Sequence, residues 1–254
     1  MAKLHGILKL SGSIDELSYY KTKFGYVVRR KGGFNSKRLK KDKAYVRSRE
    51  TASEFGNCSR LGKLIRDGFK MCIKQKGDQL LSSRLNSVLI KIKNLDAVSA
   101  RGKRSVTKGL ETSEGLKLLR GFDFNTEAHL TRILKRAVKV DTGDKHIKIK
   151  GLVPKKDLVF PKGASHFSIT GGIARINPED LSCQVAPMTE MVLALNGKAE
   201  EILLVAEEVL TGRKGFDLYF IGISFLQEVS GKRLALNNER YTAACILEIK
   251  EVSS

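Results

Sequence analysis

The spacing of apolar positions changes twice along the chain, and each change marks a different kind of structure. Up to about residue 31 the apolar residues form short clusters broken by Gly12 and Gly25. The clearest hairpin pairs 17–23 with 26–31 across a turn at Lys23 to Gly25, and a three-strand meander is expected. "GGFNSKRLKKDK" follows and reads as an exposed connector, because it combines paired glycines with Asn35 and Ser36.

From Lys43 to about Ile73 the period becomes helical. Phe55, Cys58, Leu61, Ile65, Phe69 and Cys72 recur at three- and four-residue steps, opposite Gly56, Arg60, Lys63, Asp67, Lys70 and Lys74. Asp42 is placed to cap this amphipathic helix. Gly56, Gly62 and Gly68 each cost roughly 1 kcal/mol relative to Ala, so a break or a close helix contact is expected near one of them. A second helix starts at Asp78 with the stripe Leu81, Leu85, Val88, Ile92 and Leu95, and the two should pack as a helical hairpin. "SARGKRSVTKG" (99–109) lacks apolar periodicity and reads as a basic loop. "TSEGLKLLRG" gives a short helix capped by Thr112 or Ser113 and stopped by Gly121, and "FDFN" (122–125) closes the first domain.

Beyond residue 130 the pattern shortens to strands with turn signals every 8 to 15 residues. Strands are expected at 134–140, 146–152, 166–169, 172–176, 183–187, 191–195, 202–209, 216–229 and 241–252. "GKAEEILLVAEEVL" also suits an amphipathic helix, and its strand-rich neighbours favour the strand. Phe216, Leu218, Phe220, Ile223 and Phe225 suit a central buried strand, with "VSGKR" as a turn and "YTAACILEIKEV" as its closing partner. The expected class is α+β: an N-terminal β-hairpin or meander plus a helical hairpin over 1–125, then an antiparallel β-sandwich, immunoglobulin- or fibronectin-like, over 126–254.

Charge sharpens this division. The chain carries a formal +20, with 29 basic and 11 acidic side chains in residues 1–125 against 18 and 16 in residues 126–254. Within 21–49, 12 Lys or Arg face Asp42 alone. Such asymmetry points to a polyanionic partner for the first half, because Lys and Arg release counterions from nucleic acid. No apolar run approaches a membrane span of ~18 residues, and the first residues show neither a signal-peptide core nor a myristoylation glycine. A cytoplasmic location without membrane association is the expectation. Cys58, Cys72, Cys183 and Cys245 form no C-x-x-C pair and read as reduced thiols, with Cys58, Cys72 and Cys245 in the core.

Five strings together carry a resemblance. "SGSIDELSYYKTKFGYVVRRKGG" (11–33), "RSRETASEFGNCSRLGKLIR" (47–66), "NLDAVSARGKRSV" (94–106), "GFDFN" (121–125) and "FLQEVSGKRLALNN" (225–238) resemble a family of uncharacterised bacterial proteins of the Bacteroidota type. The resemblance implies a basic N-terminal module followed by a β-rich C-terminal domain. It implies no activity, cofactor or site residue.

The candidate nucleic-acid-binding residues are therefore basic ones: Arg29, Arg30, Lys31, Lys37, Arg38, Lys40 and Lys41, with Arg101, Lys103 and Arg104 as a second patch. A basic hairpin can lie along a phosphate backbone, and Tyr19, Tyr20, Phe24 and Tyr26 either stack on unpaired bases or pack the small sheet onto the long helix. Arg47 and Arg49 either contact phosphate or pair with Glu50 and Glu54 at helical spacing. The 99–109 loop is not a Walker loop, and it is either mobile or orders on contact with a polyanion.

His5, His129, His146 and His166 form no zinc spacing, and no G-x-S-x-G elbow occurs, so neither a metal, a cofactor nor a catalytic residue is expected. The reading is a non-enzymatic nucleic-acid-associated protein (DNA or RNA) whose β-rich part makes protein contacts. Its rival is a structural subunit of a cytoplasmic or phage-derived assembly, a homo-oligomer or larger particle whose basic arm meets acidic neighbours.

Overall fold

A computed structural model describes residues 2–4, 9–32, 36–70, 78–208, 210–211, 214–236 and 239–252. Cys72, Lys74 and the expected end of the long helix lie outside the described residues, as do Gly33 to Asn35. Helices combine with antiparallel sheets throughout, and the α+β class holds. The chain divides into two compact units, Met1–Glu50 and Thr51–Ser254.

The first unit is built on a four-stranded sheet. β1 (Ala2–Leu4), β2 (Gly12–Ile14), β3 (Leu17–Thr22) and β4 (Gly25–Arg30) run in the order β1-β4-β3-β2, so the meander gains a fourth strand on its β4 edge. The register pairs Lys21 with Tyr26, Tyr19 with Val28 and Leu17 with Arg30, which places these six side chains on one face. Tyr20, Val27 and Arg29 occupy the other face. The turn between β3 and β4 is clamped by Thr22: its Oγ1 donates to Gly25 O (2.8 Å) and accepts the Phe24 N–H (3.2 Å). Gly25 has φ +115°, a conformation that a side chain would strain.

The stretch expected to be an irregular connector is partly helical. α1 (Ser36–Lys41) forms there, and Asp42 ends it. The Asp42 carboxylate pairs with Arg38 (2.8 Å, i,i+4) and caps a single 3₁₀ turn, Lys43–Tyr45, through the Ala44 N–H at 2.9 Å. Both interactions hold its carboxyl below the ordinary carboxylate range. Asp42 thus caps as expected, but one turn ahead of the long helix, α2 (Val46–Gly68).

In the second unit α2 packs antiparallel to α3 (Leu81–Asn94): Asn86 Nδ2 donates to Ser59 Oγ at 3.1 Å, and further along the pair Lys93 meets Glu54. The α2 glycines explain themselves by close approach. A Cβ on Gly62 would lie 2.6 Å from Asn86 Oδ1, and one on Gly68 would lie 2.9 Å from Cys183 Sγ. Only Gly56 of the three has open space around it. Gly62→Ala therefore destabilises the unit by about 1–3 kcal/mol through overpacking, whereas Gly56→Ala stabilises it by up to ~1 kcal/mol; urea midpoints of the two variants should move in opposite directions.

Two short helices, α4 (Val106–Leu110) and α5 (Ser113–Leu119), follow, the second capped by Thr112 as the pattern suggested. After α6 (Leu130–Ile133) come β5 (Lys139–Asp141), β6 (His146–Leu152), α7 (Pro154–Asp157), β7 (His166–Asn177), β8 (Ser182–Ala194), β9 (Glu200–Val205), β10 (Gly215–Val229), β11 (Lys232–Ala235) and β12 (Ala243–Val252). Four of the short expected strands merge into two long ones, β7 and β8. Ladder pairing runs from His166–Ala194 to Asn177–Ser182, with a register shift between Ile169 and Gly171 where a loop was expected. The ambiguous 197–210 segment contributes the strand β9.

β10 is the central strand. It pairs β7 on one side and β12 then β11 on the other, and its side chains alternate between two cores. Tyr219, Ile221, Ile223 and Phe225 face an interior shared with Ile147, Ile149, Ile202, Leu204 and Phe167. Phe216, Leu218 and Phe220 face Leu61, Ile65, Phe69, Leu85 and Leu89 of the helices. A strand buried on both faces reads as a nearly continuous apolar run, which is how "FDLYFIGISF" looks. The β5-β6-β9 sheet joins β8 through the Met188–Ala206 bridge, so the whole curls into a half-barrel. Residues 121–124 run along the outer edge of β12, with Gly121 N–H to Ile246 O (2.8 Å) and Phe124 N–H to Ala244 O (2.8 Å). "FDFN" thereby covers a strand edge and places Phe122 and Phe124 in the helix-facing core.

One buried ion pair registers β7 against β10. Arg175 forms a fork on Asp217, with Nε to Oδ1 at 2.6 Å and Nη2 to Oδ2 at 2.7 Å, and both side chains are under one-tenth exposed. No described helix is long and apolar enough to cross a membrane.

Candidate nucleic-acid interface

All seven basic residues expected to bind in the first unit are exposed. β4 ends with Arg29 and Arg30 at adjacent positions, so alternation sends them to opposite faces of the sheet. Arg29 lies over the Tyr20 ring, 5.6 Å from its centroid, a cation–π contact that fixes the guanidinium without neutralising it. Arg30 is compensated: it pairs with Glu16 at 2.5 Å. Lys31 follows, and its backbone N–H reaches Glu16 O at 2.5 Å, leaving its ammonium exposed. In α1, Lys37, Lys40 and Lys41 are exposed, while Arg38 pairs with Asp42. Lys40 and Lys41 stand in the last turn, where cations suit the helix dipole. The unit holds 14 basic and 4 acidic side chains, a net +10 in 50 residues, whereas the other unit spreads the same net charge over 204.

Arg49 does not use the acidic residues offered by helical spacing. Its Nη1 donates to Leu39 O (2.7 Å) and Asp42 O (2.9 Å), tying α2 to the end of α1. Leu39 O is one of the carbonyls left over where α1 stops, whereas Asp42 O also accepts the Tyr45 N–H of the 3₁₀ turn at 3.2 Å. Glu54 in turn bonds Lys93 and the Gly102 N–H (2.7 Å) rather than Arg47.

The aromatics divide. Tyr19, Tyr20 and Tyr26 are half-buried, but Phe24 at the hairpin tip is 64% exposed, so packing does not account for its ring.

The second patch sits on a loop that is built from within. Asp96, 2% exposed, accepts the N–H groups of Val98 (3.1 Å), Ser99 (2.9 Å) and Ser105 (3.0 Å). Glu54, 5% exposed, takes the Gly102 amide. The small residues of the loop let backbone amides approach an anion, and the anions are the protein's own carboxylates. Arg101 and Lys103 project outward from this frame, Arg104 is half-buried with Nε enclosed, and Lys108 pairs with Glu111 at 2.9 Å. Ser105 caps α4 through the Lys108 N–H at 3.2 Å.

Burial pushes the Asp96 carboxyl up, but the amides of Ser99, Ser105 and Val98 outweigh it and hold the group at about 2, below the ordinary 3.8. A carboxyl whose folded value is depressed contributes stability that is present above the unfolded value and lost as pH falls toward the folded one. Asp96 should therefore contribute about 2 kcal/mol at pH 6 that vanishes between about pH 4 and pH 2. In urea melts across that range, the gap between the wild-type chain and Asp96→Asn should be widest at pH 6 and close by pH 2.

Three other constellations lie outside the two expected basic patches. Ser165 Oγ lies 2.9 Å from His166 Nδ1, and His166 Nε2 lies 3.5 Å from Glu228 Oε2. The Oγ is already committed to the Glu228 N–H at 2.8 Å, so this group stitches the start of β7 to the end of β10. Asp141, Asp144 and His146 bring ligand atoms within 4.8 Å of one another in the β5–β6 turn, where Asp141 Oδ1 is held by the amides of Gly143 and Asp144. A cleft of about 180 Å³ between α2, α4 and the β7–β8 turn is lined by Asn57, Arg60, Ser105, Thr107, Pro178 and Glu179. Burial raises the thiols of Cys58, Cys183 and Cys245, which keeps them protonated and poorly nucleophilic. No family model, curated protein or solved structure matches the chain.

Proposed function

We propose that the protein associates with nucleic acid through the basic surface of its first unit, without catalysing a reaction on it. The observation that carries this reading is the concentration of exposed, uncompensated cations there: Lys31, Lys40 and Lys41 are exposed with Arg29 held on Tyr20, and no carboxylate occurs in the sequence between Glu16 and Asp42. Cations presented on a small rigid sheet and a helix end neutralise phosphates at low entropic cost, and the counterions they release drive binding. Arg101 and Lys103 supply a second contact of the same chemistry on a frame that is already ordered. A cytoplasmic setting, where nucleic acid is available, accords with this.

For the curled β-rich unit we propose a scaffolding or protein-contact role. Leu203 and Val205, each about half exposed on the outer face of β9, are the apolar positions suited to such contact. An immunoglobulin- or fibronectin-like sandwich is the proposed finer class, supported by two antiparallel sheets sharing one apolar interior.

The test separates a site from mere net charge. Lys31→Glu/Lys40→Glu/Lys41→Glu should lower affinity for a labelled 20-nucleotide strand or duplex at 50 mM salt by more than about ten-fold. Lys139→Glu/Lys155→Glu/Lys156→Glu, the same charge change in the other unit, should leave it within about two-fold. Equal losses in both variants, or no binding by the wild-type chain, would overturn the reading.

A further inference from the structure

The hairpin tip adds something that phosphate binding does not need. Phe24 is the most exposed aromatic among the described residues, at 64%, and it stands between β3 and β4 on a turn that is locked rather than loose. Thr22 clamps both sides of it, Gly25 takes the left-handed conformation, and Thr22 and Gly25 close the ladder beneath. A phenylalanine left in water forgoes the burial that would stabilise the fold, so a fixed tip carrying one is shaped for an outside partner.

The surroundings define that partner's chemistry. Lys21 is exposed one rung below the tip, opposite Tyr26, and Lys23 is the other turn residue. Tyr19 lies diagonally across the same face from Tyr26. An aromatic ring flanked by cations suits an unpaired base whose adjoining phosphates reach the lysines, because every base has a π-face and the stack is sequence-tolerant. A duplex offers no such surface, since its bases already stack on one another. We infer that the protein prefers single-stranded nucleic acid, and that Phe24 is the side chain on which a base stacks, with Lys21 and Lys23 holding the phosphates on either side.

This inference rests on the nucleic-acid reading above, and the probes keep the two apart. Binding of the full chain is measured by fluorescence anisotropy to a labelled 20-mer of deoxythymidine, to an abasic strand with the same number of phosphates, and to a 20-base-pair duplex. The wild-type chain should favour the thymidine strand over the abasic strand by about ten-fold, the order of one base–aromatic stack. Phe24→Ala should remove that preference while leaving the affinity for the abasic strand, the salt slope and the melting temperature unchanged. Phe24→Tyr should retain it. Equal affinity of the wild-type chain for the thymidine and abasic strands, or a preference that survives in Phe24→Ala, would overturn the stacking role while leaving phosphate binding intact. A Phe24→Ala effect seen only on anionic phosphatidylserine vesicles would overturn it too, in favour of insertion into lipid. Failure to bind any of the three nucleic-acid probes would instead overturn the reading on which it rests.

Discussion

Glu54→Ala should lower the unfolding free energy by about 3–5 kcal/mol and loosen the loop that carries Arg101 and Lys103. Glu54 is nearly sealed, and it is the partner of Lys93, whose side chain is 10% exposed. Removing one member of a buried pair leaves the other as an uncompensated charge in a low-dielectric site, a larger loss than the pair's net contribution. The same carboxylate holds the Gly102 amide, so the loop loses a tether together with the ion pair. Its own charge is retained despite burial: desolvation pushes the Glu54 carboxyl up, but the Lys93 ammonium and the Gly102 amide more than offset this and bring it below the ordinary value. Urea unfolding measures the first effect, and hydrogen exchange at Gly102 measures the second. A destabilisation under about 1 kcal/mol with unchanged exchange would show that neither interaction matters.

The second large effect is expected where the end of β7 meets the start of β10. Asp217→Ala strands the Arg175 guanidinium, whose side chain is 8% exposed, and should also cost about 3–5 kcal/mol. Replacing both partners by apolar residues of similar volume, Arg175→Met/Asp217→Leu, should recover most of that loss, because no charge then remains to be solvated. The two variants distinguish the cost of breaking the pair from the contribution of having it. If the double variant is as unstable as the single one, the fork is needed for the β7–β10 register itself.

How far these features can be read from the sequence depends on whether their cause is local. The Cys58, Leu61, Ile65 and Phe69 face, the Leu85 and Ile92 positions of α3, the Thr112 cap and the two-sided character of β10 follow from periodicity and capping chemistry and appear where their residues imply. Phe55, expected on the same face of α2, is instead 52% exposed, and Glu54 is buried beside it. Strand lengths do not follow so simply. Gly171 and Gly172 look like a turn, but in the sheet they permit close packing, since a Cβ on Gly171 would meet Leu204 and Met188 and one on Gly172 would collide with Phe220. β7 therefore continues through them. Positions that look like punctuation along the chain can be packing sites in three dimensions.

Candidate-site residues show the same limit. Exposure of Arg29, Lys31, Lys40 and Lys41 was legible, because between Arg29 and Lys41 only Phe34 and Leu39 are large apolar side chains, too few to bury so many cations. The reassignment of Arg49 from a helical carboxylate to two carbonyls was not, since it depends on α1 ending beside the start of α2. Nor was the internal anchoring of the 99–109 loop, whose holders Glu54 and Asp96 lie far from it or outside its motif. Phe24 is the instructive case. Tyr19, Tyr20 and Tyr26 nearby suggest a packed hairpin that takes in Phe24 as well, and only the two-residue turn reveals that its ring leaves the sheet.

The most direct measurement of the central claim is the salt dependence of binding. Affinity for a single strand of fixed length should be followed between 50 and 200 mM salt for the wild-type chain and for Lys31→Ala/Lys40→Ala/Lys41→Ala. The logarithm of the wild-type association constant should fall linearly and steeply with the logarithm of salt. The triple variant should lower the slope by about 2, near 0.7 for each single-strand phosphate that is no longer neutralised. A wild-type chain that does not bind at 50 mM salt, or a variant with an unchanged slope, would contradict the account.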